Sequence, residues 1–183
     1  MTDNLDDIIK GCMAKDRQSQ EKLYRILSPG MYAVCLRYAS NSDEADDFLQ
    51  EGFIRVFTKI KTYRWEGSFE GWARKIMVNT ALQFLRKKKQ LLILNKDITE
   101  DADFEIPDGQ YGLENEDLLR MIQNLPANQR IVFNLFVIEG FNHLEISKMM
   151  GIPENTSKSH LHRARIALKE MINSSNTPDS KKF

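Results

Sequence analysis

Apolar residues recur at helical spacing along most of the chain, and no segment of useful length shows the alternation typical of a β-strand. In the first half the helical pattern runs from Ile8 to Phe84, with a break predicted at residues 28–30. A further helix start is predicted at Ser42, whose hydroxyl suits an N-cap. After an interruption the pattern continues to about Ile172. The sequence therefore predicts an all-α protein.

The interrupted segment separates two small domains; it is acidic, whereas both domains carry a net positive charge. The chain carries 26 basic and 26 acidic residues, but the net charge is +4 over residues 1–90, −8 over 91–119 and +4 over 120–183. An acidic segment without apolar periodicity is typical of a flexible linker. We therefore expect helical domains at 1–90 and 115–172, a flexible acidic linker at 91–114 and a disordered tail at 173–183.

The C-terminal domain contains the pattern of a helix-turn-helix. A short helix is predicted from His143 to Met150, then a tight turn through Gly151 and Pro153, then a longer helix from about Asn155. A helical wheel assigns the second helix a buried side made of Ser157, Leu161, Ala164, Leu168, Met171 and Ile172. The opposite side carries the candidate DNA-binding residues Asn155, Lys158, Ser159, His162 and Arg163. The alternative is a polar face that is only solvated.

The long helix predicted at residues 69–89 has two different sides. One side is apolar and is expected to face the core, with Ala73, Met77, Thr80, Ala81 and Phe84. An aromatic ring with amides and cations can hold a nucleic-acid strand whose bases are exposed. The other side carries such a stripe, namely Trp72, Lys75, Asn79, Gln83 and Arg86. Alternatively, Trp72 belongs to the core and the basic end only complements the helix dipole.

The helix that begins near Ser42 carries acidic side chains, in contrast to the basic stripe on the helix at residues 69–89. Asp47, Gln50, Glu51 and Ile54 follow one another at the spacing of a single helix face, which suits docking of a basic partner helix. The alternative is that these acids stabilise the start of their own helix. Acidic residues together with Gln50 surround Phe48 and Phe53 on this helix, namely Asp43, Glu44, Asp46, Asp47 and Glu51.

Several functional classes are not favoured by the sequence. Cys12 and Cys35 lack the spacing of a zinc or disulfide site, and His160 and His162 point roughly 200° apart on a helix. No carboxylate cluster accompanies the basic helices, as a metal-dependent nuclease would require. No signal peptide or membrane span is expected. We therefore expect a soluble cytoplasmic protein that is not an enzyme and needs no cofactor or metal.

Two segments resemble conserved regions of the bacterial sigma factors of RNA polymerase. Residues 43–57 together with 69–81 closely resemble region two, and residues 125–165 resemble region four. With nothing similar to the family's middle domain between them, this arrangement resembles the extracytoplasmic-function (ECF) group. The competing interpretation, a stand-alone helix-turn-helix regulator, leaves the acidic strip and the stripe around Trp72 unexplained.

The resemblance implies a role for each surface. The implied partner is core RNA polymerase, through its clamp coiled coil and its flap. The residues implied to dock on the clamp coiled coil are Asp46, Asp47, Phe48, Gln50, Glu51 and Phe53. The stripe from Trp72 to Arg86 is expected to melt the −10 promoter element and capture its bases, and the face from Asn155 to Arg163 to read the −35 element. An anti-sigma factor is an implied further partner. Ser157 departs from the family pattern, which usually has Val there, and weaker packing of the helix is expected.

Overall fold

The computed structural model describes residues 4–94 and 116–175, and within these ranges every regular element is helical. The chain divides into two compact units, Met1–Leu113 and Glu114–Phe183. The all-α fold class and the two helical domains are thereby confirmed. The first unit contains α1 (Leu5–Met13), α2 (Arg17–Leu36), α3 (Ser42–Lys59), a 3₁₀ turn (Ile60–Thr62) and α4 (Phe69–Leu94).

The core of the first unit lies where α2, α3 and α4 pack against one another. Leu23, Met31, Phe48 and Met77 are among the side chains with almost no solvent exposure. The Phe48 ring contacts the Phe84 ring, with 5.3 Å between their centroids, which joins α3 to the second half of α4. This packing covers the apolar side of α4 and leaves its polar side facing outward.

The break predicted at residues 28–30 is wrong, because α2 continues through Pro29. A proline inside a helix removes one backbone hydrogen bond and crowds the preceding turn. Here Pro29 is exposed, while Leu27 and Met31 on either side of it are buried. Burial of this continuous apolar face keeps the helix intact across the proline.

Other predicted boundaries also move. The N-cap of α3 is Asn41, whose side-chain oxygen accepts a 2.8 Å hydrogen bond from the Glu44 backbone, so Ser42 is already the first helical residue. Helix α4 continues to Leu94, beyond the predicted start of the linker at 91. The rest of the predicted linker lies outside the described residues.

The second unit contains α5 (Glu116–Gln123), α6 (Ala127–Phe133), a π-helical turn (Asn134–Ile138), α7 (His143–Met150) and α8 (Glu154–Ser175). Helix α8 therefore continues into the tail predicted from 173, and residues 176–183 of that tail lie outside the described residues. One hydrophobic cluster joins α5 to α8 through Ile122, Leu125, Ala164 and Leu168, which are all buried.

The predicted buried side of α8 is confirmed for Ser157, Leu161, Ala164 and Leu168. Met171 is half-buried against the cluster. The prediction is wrong for Ile172, which is 42% exposed. Ile172 projects from the edge of the apolar stripe in the penultimate turn of the helix, so solvent reaches it.

Replacing glycine by alanine at two positions of the first unit is predicted to have opposite effects on the free energy of unfolding. Gly30→Ala is expected to raise the free energy of unfolding by about 0.5–1 kcal/mol, because a Cβ there meets nothing within 4 Å and alanine favours the helix. Gly52→Ala is expected to lower it by about 1–3 kcal/mol, because its Cβ would overlap the Met77 sulfur in the packed core. Both tryptophans, Trp65 and Trp72, belong to this unit, so fluorescence-detected urea unfolding measures it selectively. Equal effects of the two substitutions would contradict the packing described.

Candidate nucleic-acid and protein interfaces

The helix-turn-helix is held by hydrogen bonds at both ends of α7. Asn142 and Glu145 form a reciprocal capping box at its start, where each side chain accepts from the other residue's backbone N–H. Gly151 ends the helix with φ of 66°, a left-handed conformation that glycine adopts without steric cost. The Ser147 hydroxyl donates a 2.6 Å hydrogen bond to the Ile152 carbonyl within the turn. The predicted bounds of α7 and the turn are confirmed.

A buried polar contact joins α7 to α8. The Ser157 hydroxyl lies 2.9 Å from Nδ1 of His143, and Ser157 has no solvent exposure. The His143 ring stacks on Phe136, with 4.5 Å between ring centroids. Arg165 of α8 lies 5.8 Å from the centre of the Phe136 ring. Ser157 therefore exchanges the apolar packing expected of a valine for a hydrogen bond between the two helices.

All five candidate DNA-binding residues of α8 are exposed, so the structure places them together on one accessible face. Two of them already have partners on the same helix. Lys158 forms a 2.7 Å ion pair with Glu154, and the Ser159 hydroxyl donates to the Asn155 carbonyl at 2.9 Å. Because the Ser159 hydrogen is engaged, its oxygen can only accept. His162 and Arg163 therefore carry most of the donor capacity of this face.

The stripe on α4 is exposed except at its first residue. Lys75, Asn79, Gln83 and Arg86 are exposed, and Trp72 is half-buried. The Trp72 ring lies 5.6 Å from the Tyr63 ring and 5.2 Å from the Phe69 ring, measured between centroids. The Trp72 ring therefore packs in an aromatic cluster and is only half-buried, and its binding of nucleic acid stays a prediction.

Trp65 was missed by the sequence reasoning. It is 44% exposed and extends the aromatic cluster, with 5.3 Å between its ring and that of Tyr63. Its backbone is left-handed, with φ of 62°, which is rare for a residue with a side chain. A strained exposed aromatic beside a candidate binding surface was not visible as a pattern, because its place depends on the loop before α4.

The acidic strip on α3 differs from its predicted composition. Asp47 and Gln50 are exposed, and Asp46 and Glu51 are half-buried. Burial raises the pKa of Asp46, and the neighbouring charges of Asp43 and Asp47 add to the effect.

Phe48 and Phe53 cannot belong to the docking surface as predicted, because both are buried. The Phe48 ring packs on Phe84, and the Phe53 ring lies 4.6 Å from that of Tyr24. The apolar member of the surface is instead Ile54, which is 61% exposed. The helical spacing had already grouped Ile54 with Asp47, Gln50 and Glu51, so a signal for it was present.

Two contacts tie the acidic helix α3 to α4. Arg55 bonds to Glu51 at 2.8 Å and to the Gln83 side-chain oxygen at 2.5 Å. Glu44 forms a 3.4 Å ion pair with Lys88, near the end of the basic stripe. The contact between Arg55 and Gln83 joins residues 28 positions apart and therefore has no local signature in the sequence.

Within residues 4–94 and 116–175, no cluster of three or more His, Cys, Asp or Glu side chains is arranged to hold a metal ion. In the same part of the chain, no helix combines the length and apolarity needed to span a membrane. Burial raises the pKa of the Cys12 thiol to about 11 and that of Cys35 to about 12, so both are protonated at neutral pH.

Stability of the helix-turn-helix is predicted to depend on pH. Burial lowers the pKa of His143 below its ordinary 6.5, and the charge of Lys158 adds to the effect. Burial also lowers the pKa of His160, and the charge of Arg163 adds to that effect. Below about pH 6.5 the unfolded chain takes up protons that the folded histidines do not, so the free energy of unfolding falls as pH falls through 6.5 and below. Above pH 6.5 this contribution is fully present.

The measurement is hydrogen exchange of α7 and α8 between pH 5 and 7.5, corrected for the intrinsic exchange rate. His143→Gln is expected to reduce the pH dependence, and a double variant with His160→Gln to reduce it further. Tryptophan fluorescence, which reports the first unit alone, is the internal control. A pH dependence that both substitutions leave unchanged would refute the assignment to these histidines.

Comparison with known proteins matches both units to one family. Residues 23–90 match the Sigma-70 region 2 family and residues 115–168 match Sigma-70 region 4. The ECF RNA polymerase sigma factor SigW of Bacillus subtilis is 30% identical over 176 residues, which are 90% of this chain and 94% of SigW. SigE of Mycolicibacterium smegmatis is 30% identical over 161 residues, 84% of this chain but 62% of that longer relative.

Solved structures share the fold. The sigma factor RpoE of Bartonella quintana, in complex with the anti-sigma factor NepR, matches with a TM-score of 0.57 at 23% identity, over 84% of this chain and 96% of RpoE. CnrH, in complex with the cytosolic domain of CnrY, matches with a TM-score of 0.50 at 14% identity, over 93% of this chain and 99% of CnrH. With regions two and four in order and a 30% identical relative covered almost throughout, the chain belongs to the ECF sigma factors of RNA polymerase, which are transcription initiation factors.

Proposed function

We propose that the two units bind two separate promoter elements while the first unit also holds core RNA polymerase. In this assignment α8 reads the −35 element as duplex, and the α4 stripe captures the opened −10 element. The strip of Asp47, Gln50, Glu51 and Ile54 on α3 docks on the polymerase clamp coiled coil. The protein acts in the cytoplasm, where its relatives' polymerase works, and performs no catalysis of its own.

Helix α8 suits duplex DNA by size and by chemistry. A helix with its side chains is about 10–12 Å across, close to the roughly 12 Å width of a B-DNA major groove, and the face from Asn155 to Arg163 is exposed. Arg163 and His162 offer donors for base edges, while Lys158 suits a phosphate. The turn at Gly151 joins α7 to α8 as in a helix-turn-helix, whose second helix enters the groove.

The α4 stripe suits a single strand better than a duplex. Trp72 and the exposed Trp65 provide aromatic surface for stacking, and bases stack only when they are unpaired. Lys75 and Arg86 provide positive charge for the backbone of the same strand. Asn79 and Gln83 lie between them on the exposed side, where amides can bond to the edges of flipped bases.

The α3 strip has the opposite charge, which suits protein rather than DNA. Exposed Asp47 and half-buried Glu51 lie on the same face of α3 as exposed Ile54, about two turns and one turn before it. An exposed apolar side chain beside acids complements a helix that carries an apolar residue among basic ones. DNA would be repelled by the same charges, so the first unit separates its polymerase and promoter surfaces by sign.

An anti-sigma factor is a further proposed partner. One structure that shares this fold contains such an arrangement, since RpoE was solved with the anti-sigma factor NepR. On the second unit Val137, Leu144 and Ile166 are exposed apolar side chains, between 45% and 54% accessible. A partner that covered them would remove apolar area from water.

The observation that carries the proposal is that each unit presents an exposed face of different chemistry, one suited to single strands and one to duplex. Each face alone is small. Joined by a chain segment, two weak sites gain affinity only when a third body fixes their separation, and polymerase supplies that body. We therefore expect the free protein to bind promoter duplex weakly.

Opening of the −10 element is predicted to depend on the α4 stripe. Lys75→Ala and Asn79→Ala are each expected to reduce open-complex formation with core polymerase by roughly tenfold, since each removes a contact of about 1–2 kcal/mol. Permanganate reactivity of unpaired thymines measures the opening. Arg74→Ala is the matched control, because Arg74 is half-buried beside the stripe and pairs with Glu70 at 3.3 Å. If Arg74→Ala reduced open-complex formation equally, the proposed role of the α4 stripe in opening would be contradicted.

Two cationic residues of α8 are predicted to contribute differently to recognition of the −35 element. Arg163→Ala is expected to relax the base preference at one −35 position by about 1–3 kcal/mol, as for a bidentate base contact. Lys158→Ala is expected to weaken all promoters alike and to reduce the salt slope of binding by about one. Polymerase-dependent binding to −35 variants at several salt concentrations separates the two effects. A uniform loss with Arg163→Ala would contradict its role in reading bases.

A further inference from the structure

A chain of hydrogen bonds crosses from α3 to α4 through one arginine. Nε of Arg55 donates to the Glu51 carboxylate at 2.8 Å, and one of its terminal nitrogens donates to the side-chain oxygen of Gln83 at 2.5 Å. Arg55 and Glu51 are largely shielded, with side chains 25% and 36% exposed. Gln83 is exposed on the polar side of α4, between Asn79 and Arg86.

This contact determines which end of the Gln83 amide faces outward. A guanidinium has donors and no acceptor, so only the amide oxygen can meet it. The NH₂ group at the other end of the amide then points away from Arg55. A glutamine without such a partner can present its oxygen or its NH₂ by a half-turn about the last bond of the side chain. With Arg55 in place, the exposed end of Gln83 is a hydrogen-bond donor.

Glu51 has the role of holding the arginine. The pair spans one helical turn of α3, and the bond at Nε leaves the terminal nitrogens of Arg55 directed to α4. The charge-assisted bond is stronger than a neutral one, so the orientation of the guanidinium is set before any ligand arrives.

We propose that Arg55 is a positioning residue for promoter recognition, which fixes the Gln83 amide so that Gln83 binds a hydrogen-bond acceptor on the promoter strand. This inference rests on the proposed role of the α4 stripe. The acceptor is a nitrogen or oxygen on the edge of an exposed base, or an oxygen of the backbone phosphate. Arg55 itself needs no contact with DNA.

The test uses the full chain with core polymerase on a promoter library randomised across the −10 element, with run-off transcripts sequenced to give base preferences. The variants are Arg55→Met, Gln83→Met, the double variant and Gln83→Glu. Methionine removes the hydrogen bonds of both side chains; it keeps the length of the glutamine and replaces the apolar stem of the arginine. Arg25→Met is the matched control, because Arg25 forms a similar 2.6 Å pair with Glu21 one turn away on α2. Tryptophan fluorescence checks that each variant folds.

For the wild-type chain we expect a preference of about two- to tenfold, the size of one hydrogen bond, for the base that places an acceptor opposite the Gln83 NH₂ group at one position. Gln83→Met and Arg55→Met should both abolish it, and the double variant should lose nothing more. Gln83→Glu should shift the preference to a base that places a donor there, since the carboxylate offers only acceptors. Arg25→Met should leave the preference unchanged.

A second arm replaces backbone phosphates of the −10 element one at a time by neutral methylphosphonates. If the acceptor is a phosphate, one replacement reduces wild-type transcription by a similar factor and has no effect on Gln83→Met or Arg55→Met. The inference is overturned if Arg55→Met keeps a preference that Gln83→Met loses, or if neither variant changes either arm. Absence of any polymerase-dependent transcript from the wild-type chain would instead overturn the proposed function.

Discussion

The first unit depends on how one side of α4 packs against α3. Gly52 lies directly against Met77, and the Phe48 ring meets the Phe84 ring, so the two helices approach closely over several turns. Burial of this side of α4 sets the direction of the side chains on its opposite side. It turns Lys75, Asn79 and Gln83 outward, and it brings Arg55 of α3 within hydrogen-bond distance of Gln83. The surface proposed to bind the promoter is thus a consequence of core packing.

The second unit uses a polar contact where the first uses apolar ones. The bond between Ser157 and His143 joins α8 to α7 at a position without solvent exposure. It is made only when the two helices have one relative rotation, so it restricts how they pack. It also makes the unit sensitive to protonation of the histidine. The stability of the unit and the orientation of the exposed face of α8 therefore depend on one residue pair.

Sequence periodicity predicted the helices, the helix-turn-helix and the exposed faces of α4 and α8, because each depends on local spacing. These predictions failed at positions where contacts between distant parts of the chain determine the structure. Pro29 suggested a break, but the buried face of α2 continues through it. The family resemblance assigned Phe48 and Phe53 to a docking surface, whereas contacts with Phe84 and Tyr24 bury them. The link from Arg55 to Gln83 joins distant positions and has no local pattern.

The central claim is that this chain directs core RNA polymerase to promoters through two separate surfaces. Run-off transcription from a genomic fragment library, with purified core polymerase and with or without the protein, tests it most directly. The account predicts new discrete start sites that share two upstream motifs, with Asn79→Ala impairing opening and Arg163→Ala relaxing the upstream motif. Binding to core without any new start site, or tight specific binding to promoter duplex without polymerase, would contradict it.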